Sequence, residues 1–244
     1  MAFVWLYGVA AVVLWAPAAL IDGFVEGGVS WPGVGFMAGS ALLHIGYFVA
    51  LQRAYAVGNL SVVYPLARGT GPVLSVAAAI VFLGERPSAV GLAGGALIVG
   101  AILALAVGSR AGVGLAIATG AWTAAYTVWD AHAVTTLHQP PIFYAWAYGA
   151  MLALVLTPFA AGAREQWREH RRAVIGIGAL SPLAYILVLF ALTRAPISLV
   201  APVRESSVVV GALLGASVLK EGQLARRVIA ATAIAVGIAA LALS

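Results

Sequence analysis

Residues 54–85 (AYAVGNLSVVYPLARGTGPVLSVAAAIVFLGE) recur in altered form at residues 195–221 (APISLVAPVRESSVVVGALLGASVLKE). The alignment pairs Pro65 with Pro202 and, after a one-residue gap, Arg68 with Arg204. The same register continues through the pairs Thr70 and Ser206, Val73 and Val209, and Glu85 and Glu221. This repeat predicts a chain built by duplication of one helical unit.

Composition places that unit in a lipid bilayer. Of the 244 residues, 63% are hydrophobic and 9% are charged, which is more apolar surface than a soluble domain buries. Nine apolar stretches reach the length of about 18 residues needed to cross a hydrocarbon core of about 30 Å: 2–21, 32–52, 60–83, 88–108, 111–130, 141–161, 173–192, 197–219 and 226–243. Because the alternation of barrel strands is absent, we predict an all-α polytopic membrane protein with about nine transmembrane helices.

Most of the positively charged residues lie in the predicted loops between the apolar stretches. The 13 Lys and Arg against 8 Asp and Glu give a net charge of +5, which we interpret as positive-inside anchoring to the lipid bilayer rather than as nucleic-acid binding. We take the 162–172 loop as cytoplasmic. Nine cations then lie on the cytoplasmic side: Arg53, Arg110, Arg164, Arg168, Arg171, Arg172, Lys220, Arg226 and Arg227. Two, Arg86 and Arg194, fall on the other side. This asymmetry predicts a cytoplasmic N-terminus and an external C-terminus.

Ionisable and helix-breaking residues coincide in the repeated stretches. An ionisable side chain at membrane depth costs about 2.5 to 3.5 kcal/mol on insertion scales and usually faces a protein interior. Two groups make up the predicted site: the ionisable Arg68, Arg204 and Glu205, and the helix-breaking Pro65, Pro72 and Pro202. Broken helices beside a charge expose backbone dipoles to a polar solute. The alternative is structural, with the arginines snorkelling to the interface or pairing with Glu205.

A polar and aromatic set surrounds these residues in the predicted helices. Its candidates for lining a solute cavity are His44, Tyr47, Trp122, Tyr126 and Tyr185, and Trp129 or Asp130 shares the helical face of Trp122 and Tyr126. Packing or an interfacial belt is the alternative interpretation of the aromatic residues. Aligning Ala50-Leu51 with Ala191-Leu192 places His44 opposite Tyr185, which predicts a shared lining. The titration of His44 near neutral pH leaves proton coupling open.

Signatures of enzymes are absent from the sequence. The chain has no cysteine, which removes thiolate metal sites and thiol nucleophiles. His132 and His138 lack metal-ligand spacing, and no nucleophile elbow, zinc-protease helix or phosphate-binding loop occurs. We predict a protein that is not an enzyme and needs no metal or cofactor.

Small residues recur at four-residue spacing, which allows helix backbones to approach closely in lipid. The pairs are Gly91 and Gly95, Ala96 and Gly100, Gly211 and Gly215, and Ala233 and Gly237. Packing within the chain is the first interpretation. A face that pairs two copies of the chain, giving a homodimer, is the second.

The stretch 55–85 resembles the fourth-helix region of EamA-type carriers of the drug/metabolite transporter superfamily. Residues 125–134 (AYTVWDAHAV) and 194–221 (RAPISLVAPVRESSVVVGALLGASVLKE) are similar to the matching C-terminal stretches. The resemblance implies two five-helix repeats, inverted relative to each other, around a central cavity that works by alternating access.

The sequence departs from this family pattern in two respects. We assign residues 1–108 to a first repeat of four helices and residues 109–244 to a second of five, so we expect the first of the family's ten helices to be missing. A shortened start and a genuine nine-helix form both fit. The family usually has a cytoplasmic C-terminus, whereas the charges predict an external one.

Together these observations predict a secondary transporter that moves a small polar or amphipathic metabolite, with export favoured, as a multi-pass protein of the bacterial inner membrane. The alternative is a membrane scaffold or lipid-handling partner subunit that transports nothing. The sequence does not identify the solute, the coupling ion or the oligomeric state.

Overall fold

A computed structural model describes residues 2–25, 30–84, 86, 88–106, 111–204 and 224–243. The side chains of a few residues within these ranges, Pro65 and Pro202 among them, fall outside the description. Glu205, Glu85, Glu221 and the Gly211/Gly215 pair also lie outside the described residues.

The described residues form nine α-helices, a short 3₁₀ helix and no strand, as expected for an all-α membrane protein. The helices are α1 (Ala2–Val25), α2 (Trp31–Val57), α3 (Leu60–Leu83), α4 (Ala89–Ala106), α5 (Val113–Thr135), α6 (Pro141–Val155), α7 (Ala163–Leu192), α8 (Ile197–Arg204) and α9 (Leu224–Ala242). Each contains most or the beginning of one predicted apolar stretch.

Local sequence explains where several helices begin and end. The Ser30 hydroxyl accepts a hydrogen bond from the Gly33 N–H at 3.1 Å, which caps the start of α2. Pro141 begins α6, where a missing N–H costs nothing. At the other end of α3, Gly84 adopts a left-handed conformation with a φ of 70° and donates its N–H to the Ala79 carbonyl.

Some predicted boundaries were wrong by several residues. Helix α5 continues to Thr135 rather than ending at residue 130. Helix α6 ends at Val155 rather than at residue 161, and a 3₁₀ turn follows at Thr157–Phe159. Pro158 contributes to this end, because it has no N–H to donate to the Leu154 carbonyl.

The largest correction concerns residues 163–172, which were predicted to be a loop. They are the first turns of α7, and the helix bends at His170, whose φ of −125° and ψ of 20° are not helical. Residues 163–172, around the bend, carry exposed charged side chains, whereas residues 173–192 are apolar. A charged segment need not be a loop. A polar helix at the membrane surface also keeps its charged side chains in contact with water and lipid headgroups.

Helix α3 runs continuously from Leu60 to Leu83 through Pro65 and Pro72. The prediction that prolines break the helix is therefore wrong for α3, because the helix does not end at either proline. Proline removes one backbone donor and often kinks a helix without ending it, particularly in membranes. Pro202 likewise lies within α8, which continues to Arg204.

Two compact units are built from these helices. The first unit is Met1–Ile45 with Trp129–Arg194, and the second is Gly46–Val128 with Ala195–Ser244. Each unit takes segments from both predicted repeats. The division by contacts does not test the repeat boundary at residue 108, which stays a prediction.

In the first unit, α1 packs against both α6 and α7. The contact with α7 is close, because a Cβ placed on Gly178 would lie 2.9 Å from Ala10 Cβ and 3.1 Å from the Ala11 nitrogen. Indole groups add hydrogen bonds between helices: Trp15 Nε1 donates to the Ala179 carbonyl at 3.1 Å, and Trp146 Nε1 donates to the Val12 carbonyl at 2.8 Å.

In the second unit, α3, α4, α8 and α9 pack around an aliphatic core. That core contains Val63 and Leu66 of α3, Ile98 of α4 and Ile234 of α9, all fully buried. A Cβ on Gly237 would lie 2.6 Å from the Gly94 carbonyl oxygen. Gly237 therefore serves packing within the chain, as the first interpretation predicts, whereas no described atom lies within 4 Å of a Cβ added to Gly95 or Gly100. The homodimer stays a prediction.

Four of the described helices are long and apolar enough to cross a membrane: Ala2–Val25, Trp31–Val57, Val62–Phe82 and Ala163–Leu192. Three shorter apolar helical segments, Ala89–Ala101, Pro141–Val155 and Val228–Ala240, accompany them. The chain is thus a multi-pass membrane protein.

Candidate functional site

Polar side chains from several helices meet in two clusters, one within each unit. We name them after their charged residues. The Arg204 cluster consists of Arg204, Tyr126, Thr127 and Tyr47. The Asp130 cluster consists of Asp130, Tyr144, Tyr185, Tyr148 and His44.

The Arg204 cluster joins α8 to α5 in the second unit. Arg204 Nη2 donates to the Tyr126 hydroxyl at 2.9 Å, and Arg204 Nη1 lies 3.4 Å from the Thr127 hydroxyl oxygen. The guanidinium carbon lies 5.4 Å from the centroid of the Tyr126 ring. Tyr126 is buried, and the Tyr47 ring of α2 meets it edge-on at 5.7 Å.

These contacts orient a planar cation. Arg204 is half-buried, and a guanidinium presents five N–H donors in a fixed plane that suits a carboxylate or carbonyl group. Thr127 is itself held, because its hydroxyl donates to the Thr123 carbonyl at 2.7 Å. The cluster can therefore place the guanidinium in a defined orientation.

The Asp130 cluster joins α5 to α6 and α7 in the first unit. The Asp130 side chain is fully buried. The Tyr144 hydroxyl donates to Asp130 Oδ1 at 2.7 Å, and the Tyr185 hydroxyl donates to Asp130 Oδ2. Both carboxylate oxygens thus accept a hydrogen bond from a tyrosine.

His44 of α2 completes this cluster. Its ring stacks on Tyr148 with centroids 4.5 Å apart and meets Tyr185 edge-on at 5.6 Å. His44 Nδ1 lies 2.9 Å from the Ser40 carbonyl oxygen. Since a carbonyl can only accept, Nδ1 carries a hydrogen, and Nε2 is the nitrogen whose protonation can change.

Several residues predicted from the sequence meet as expected. His44 and Tyr185 are in contact, as the alignment of their helices predicts. Tyr47, Tyr126 and Arg204 also come together. Whether any of them binds a solute is not tested by these contacts.

Other predicted residues lie elsewhere or are not described. The Arg68 guanidinium carbon lies 5.7 Å from the ring centroid of Tyr64 on the same helix. Trp122 is 38% exposed, and its ring lies against Gly46, where an added Cβ would be 2.6 Å from Trp122 Cε2. The Trp122 ring thus packs against Gly46, and its role in lining a solute cavity stays a prediction. Glu205 lies outside the described residues.

The sequence interpretation missed the tyrosine partners of Asp130. Tyr144 and Tyr148 are four residues apart on α6, a spacing that puts them on one helical face. That spacing, beside an intramembrane aspartate, was the available signal.

A comparison with known families now adds to this geometry. The sequence model of the EamA-like transporter family matches residues 110–243, which is more than half of the chain. The chain belongs to the EamA-like transporter family. None of the curated proteins searched matches it significantly.

Membership in this family makes the chain a membrane transporter of the drug/metabolite transporter superfamily. The matched stretch contains Tyr126, Asp130, Tyr144, Tyr185 and Arg204, and thus the charged residue of each cluster. The resemblance read from the sequence is confirmed. The family consists of transporters and not of enzymes, which fits the absence of enzyme motifs.

Proposed function

We propose that this EamA-family member is a secondary transporter that moves a small polar or amphipathic organic solute by alternating access. We further propose that it works in the bacterial inner membrane and that export is its main direction. The observation that carries this proposal is the Arg204 cluster, in which an arginine is oriented by side chains of another helix.

The chemistry of the cluster indicates the class of solute. A guanidinium held in one plane can donate two parallel hydrogen bonds to a carboxylate or one to a carbonyl. The neighbouring Tyr47 ring, which is partly exposed, offers an apolar face to the rest of the molecule. We propose a solute with an anionic or carbonyl group attached to an apolar part.

Family membership and the cluster favour this function over a membrane scaffold. A scaffold gains little from an arginine oriented within a membrane unit, because removing a charge from water costs free energy that apolar packing avoids. The duplicated stretches add support, since inverted repeats supply two nearly equivalent packings that alternate access.

The test begins with a thermal stabilisation screen of purified protein against organic acids, amides and amino acids. A stabilising compound is then used for counterflow in proteoliposomes. We expect Arg204→Gln to lower the rate at least tenfold, about 1.4 kcal/mol, with an unchanged melting temperature. Arg194→Gln is the matched control, because that exposed arginine at the end of α7 contacts its own helix at Phe190.

Full transport by folded Arg204→Gln protein would remove the support for the binding role of this cluster. The direction is checked by efflux of the same solute from loaded cells. Accumulation instead of efflux would contradict export.

A further inference from the structure

Asp130 is buried in the first unit, and the binding role proposed for Arg204 does not use it. Its carboxylate has no exposed surface and lies on a helix of a membrane protein. An ionisable residue in that environment is costly and marks function by default. The partners of its two oxygens indicate which function.

Two of its partners are tyrosine hydroxyls, from Tyr144 of α6 and Tyr185 of α7. A hydroxyl both donates and accepts hydrogen bonds. When the carboxylate is ionised, each hydroxyl donates to it. When one carboxylate oxygen takes up a proton, that oxygen becomes a donor and the facing hydroxyl can rotate and accept. The two hydrogen bonds thus survive in both protonation states.

Asp22 shows the contrasting arrangement in the same unit. Asp22 Oδ2 accepts hydrogen bonds from the backbone N–H groups of Ile142 and Phe143, both at 3.0 Å. A backbone N–H cannot accept, so these two hydrogen bonds keep a single direction. The tyrosine hydroxyls that contact Asp130 can reverse theirs.

Other titratable groups surround the Asp130 site. Tyr144 and Tyr148 face it from α6, Tyr185 from α7, and His44 of α2 touches the rings of Tyr148 and Tyr185. Nδ1 of His44 donates to the Ser40 carbonyl, so a proton exchanged by this ring is carried by Nε2. A carboxyl group and an imidazole therefore flank one tyrosine, Tyr185.

We propose that Asp130 takes up and releases the proton that couples this transporter to a proton gradient, with Tyr185 between Asp130 and His44. The proposal rests on the proposed transport function. Protonation forms one O–H bond on Asp130 and consumes one proton from water, and deprotonation returns it. One of the two hydrogen bonds that tie α5 to α6 and α7 reverses its direction in each cycle, so proton binding acts on the contact between α5 and one of these helices.

The test needs no solute. Purified protein in lipid nanodiscs is titrated from about pH 4 to about pH 9 while infrared difference spectra record the carbonyl stretch of protonated carboxylic acids. The band disappears as the pH rises, and exposed carboxyl groups such as Glu165 and Glu169 contribute to it in every variant. We expect one component of the band to be present in the unmodified protein and in Asp22→Asn and to be missing in Asp130→Asn. Persistence of the whole band in Asp130→Asn would overturn the proposal.

A second variant covers a failure of Asp130→Asn to fold. Tyr185→Phe keeps the ring and removes one hydrogen bond to the carboxylate. We expect it to change the pH at which this component disappears, whereas a component unaffected by Tyr185→Phe and by Tyr144→Phe would contradict the assignment to Asp130. Because these spectra involve protons alone, they succeed or fail independently of the solute experiment on Arg204.

Discussion

The guanidinium of Arg204 on α8 donates a hydrogen bond to the hydroxyl oxygen of Tyr126 on α5 across 2.9 Å. The two residues come from different helices of one unit, and the buried tyrosine cannot move far from the cation. Tyr126 therefore positions Arg204.

This relationship predicts non-additive effects on transport. Tyr126→Phe removes the acceptor and keeps the ring, so we expect it to weaken solute binding three- to tenfold, roughly 1 kcal/mol. If Tyr126 acts through Arg204, the double variant with Arg204→Gln should be no worse than Arg204→Gln alone. This double-mutant cycle is measured from the counterflow rates of the unmodified protein, the two single variants and the double variant. Fully additive losses would show that Tyr126 acts independently.

Asp22 should contribute to stability through the start of α6. Its carboxylate accepts from two backbone N–H groups there, which satisfies donors that lack a helical partner and opposes the positive end of the helix dipole. We expect Asp22→Ala to lower the free energy of unfolding by about 0.5 to 2 kcal/mol and Asp22→Asn to lower it less. Melting in detergent measures both. Equal effects of the two variants would argue against the capping role.

Gly178 should tolerate no side chain. An added Cβ meets Ala10 Cβ and the Ala11 nitrogen of α1 at 2.9 and 3.1 Å, and backbone atoms cannot rotate away. Gly178→Ala should therefore cost about 1 to 3 kcal/mol. Gly176→Ala is the control two residues away, because nothing lies within 4 Å of its added Cβ. A melting temperature of Gly178→Ala equal to that of Gly176→Ala would disprove this packing.

The Trp146 indole should stabilise the contact between α6 and α1. Its Nε1 donates to the Val12 carbonyl at 2.8 Å, and hydrogen bonds between membrane helices contribute about 0.6 kcal/mol on average and up to about 1.7. Trp146→Phe should therefore lower the free energy of unfolding by an amount in this range. Trp5→Phe is the control, because the buried Trp5 Nε1 has no hydrogen-bond partner among the described residues. A greater loss for Trp5→Phe would contradict the expectation.

The charged beginning of α7 should face the cytoplasm. Arg164, Arg168, Arg171 and Arg172 cluster there, as positive-inside segments do. Because the chain has no cysteine, single cysteines report orientation without background. A cysteine replacing exposed Glu165 should react with a membrane-impermeant maleimide from the cytoplasmic side. One replacing exposed Thr136 should react from the outside. The reverse pattern at both positions would invert the topology.

The helices found among the described residues, their approximate limits and the membrane environment follow from the sequence. Long apolar stretches must be helical in lipid because each backbone polar group needs an internal partner. Local signals such as Pro141 and Gly84 then set helix ends. The boundary errors arose where local chemistry was compatible with two structures, as in residues 163–172, where charges suit a loop or a surface helix.

Only the tertiary structure assigned partners to the polar residues. The periodicity of α5 places Tyr126 and Asp130 on one side of that helix, but it does not reveal that Tyr126 meets Arg204 or that Asp130 meets Tyr144 and Tyr185. In lipid, apolar side chains supply little drive for one helix to choose another, so close steric fit and hydrogen bonds between helices decide the pairing. Those depend on residues far apart in the chain, which is why the sequence located the charges and the fold decided what each one touches.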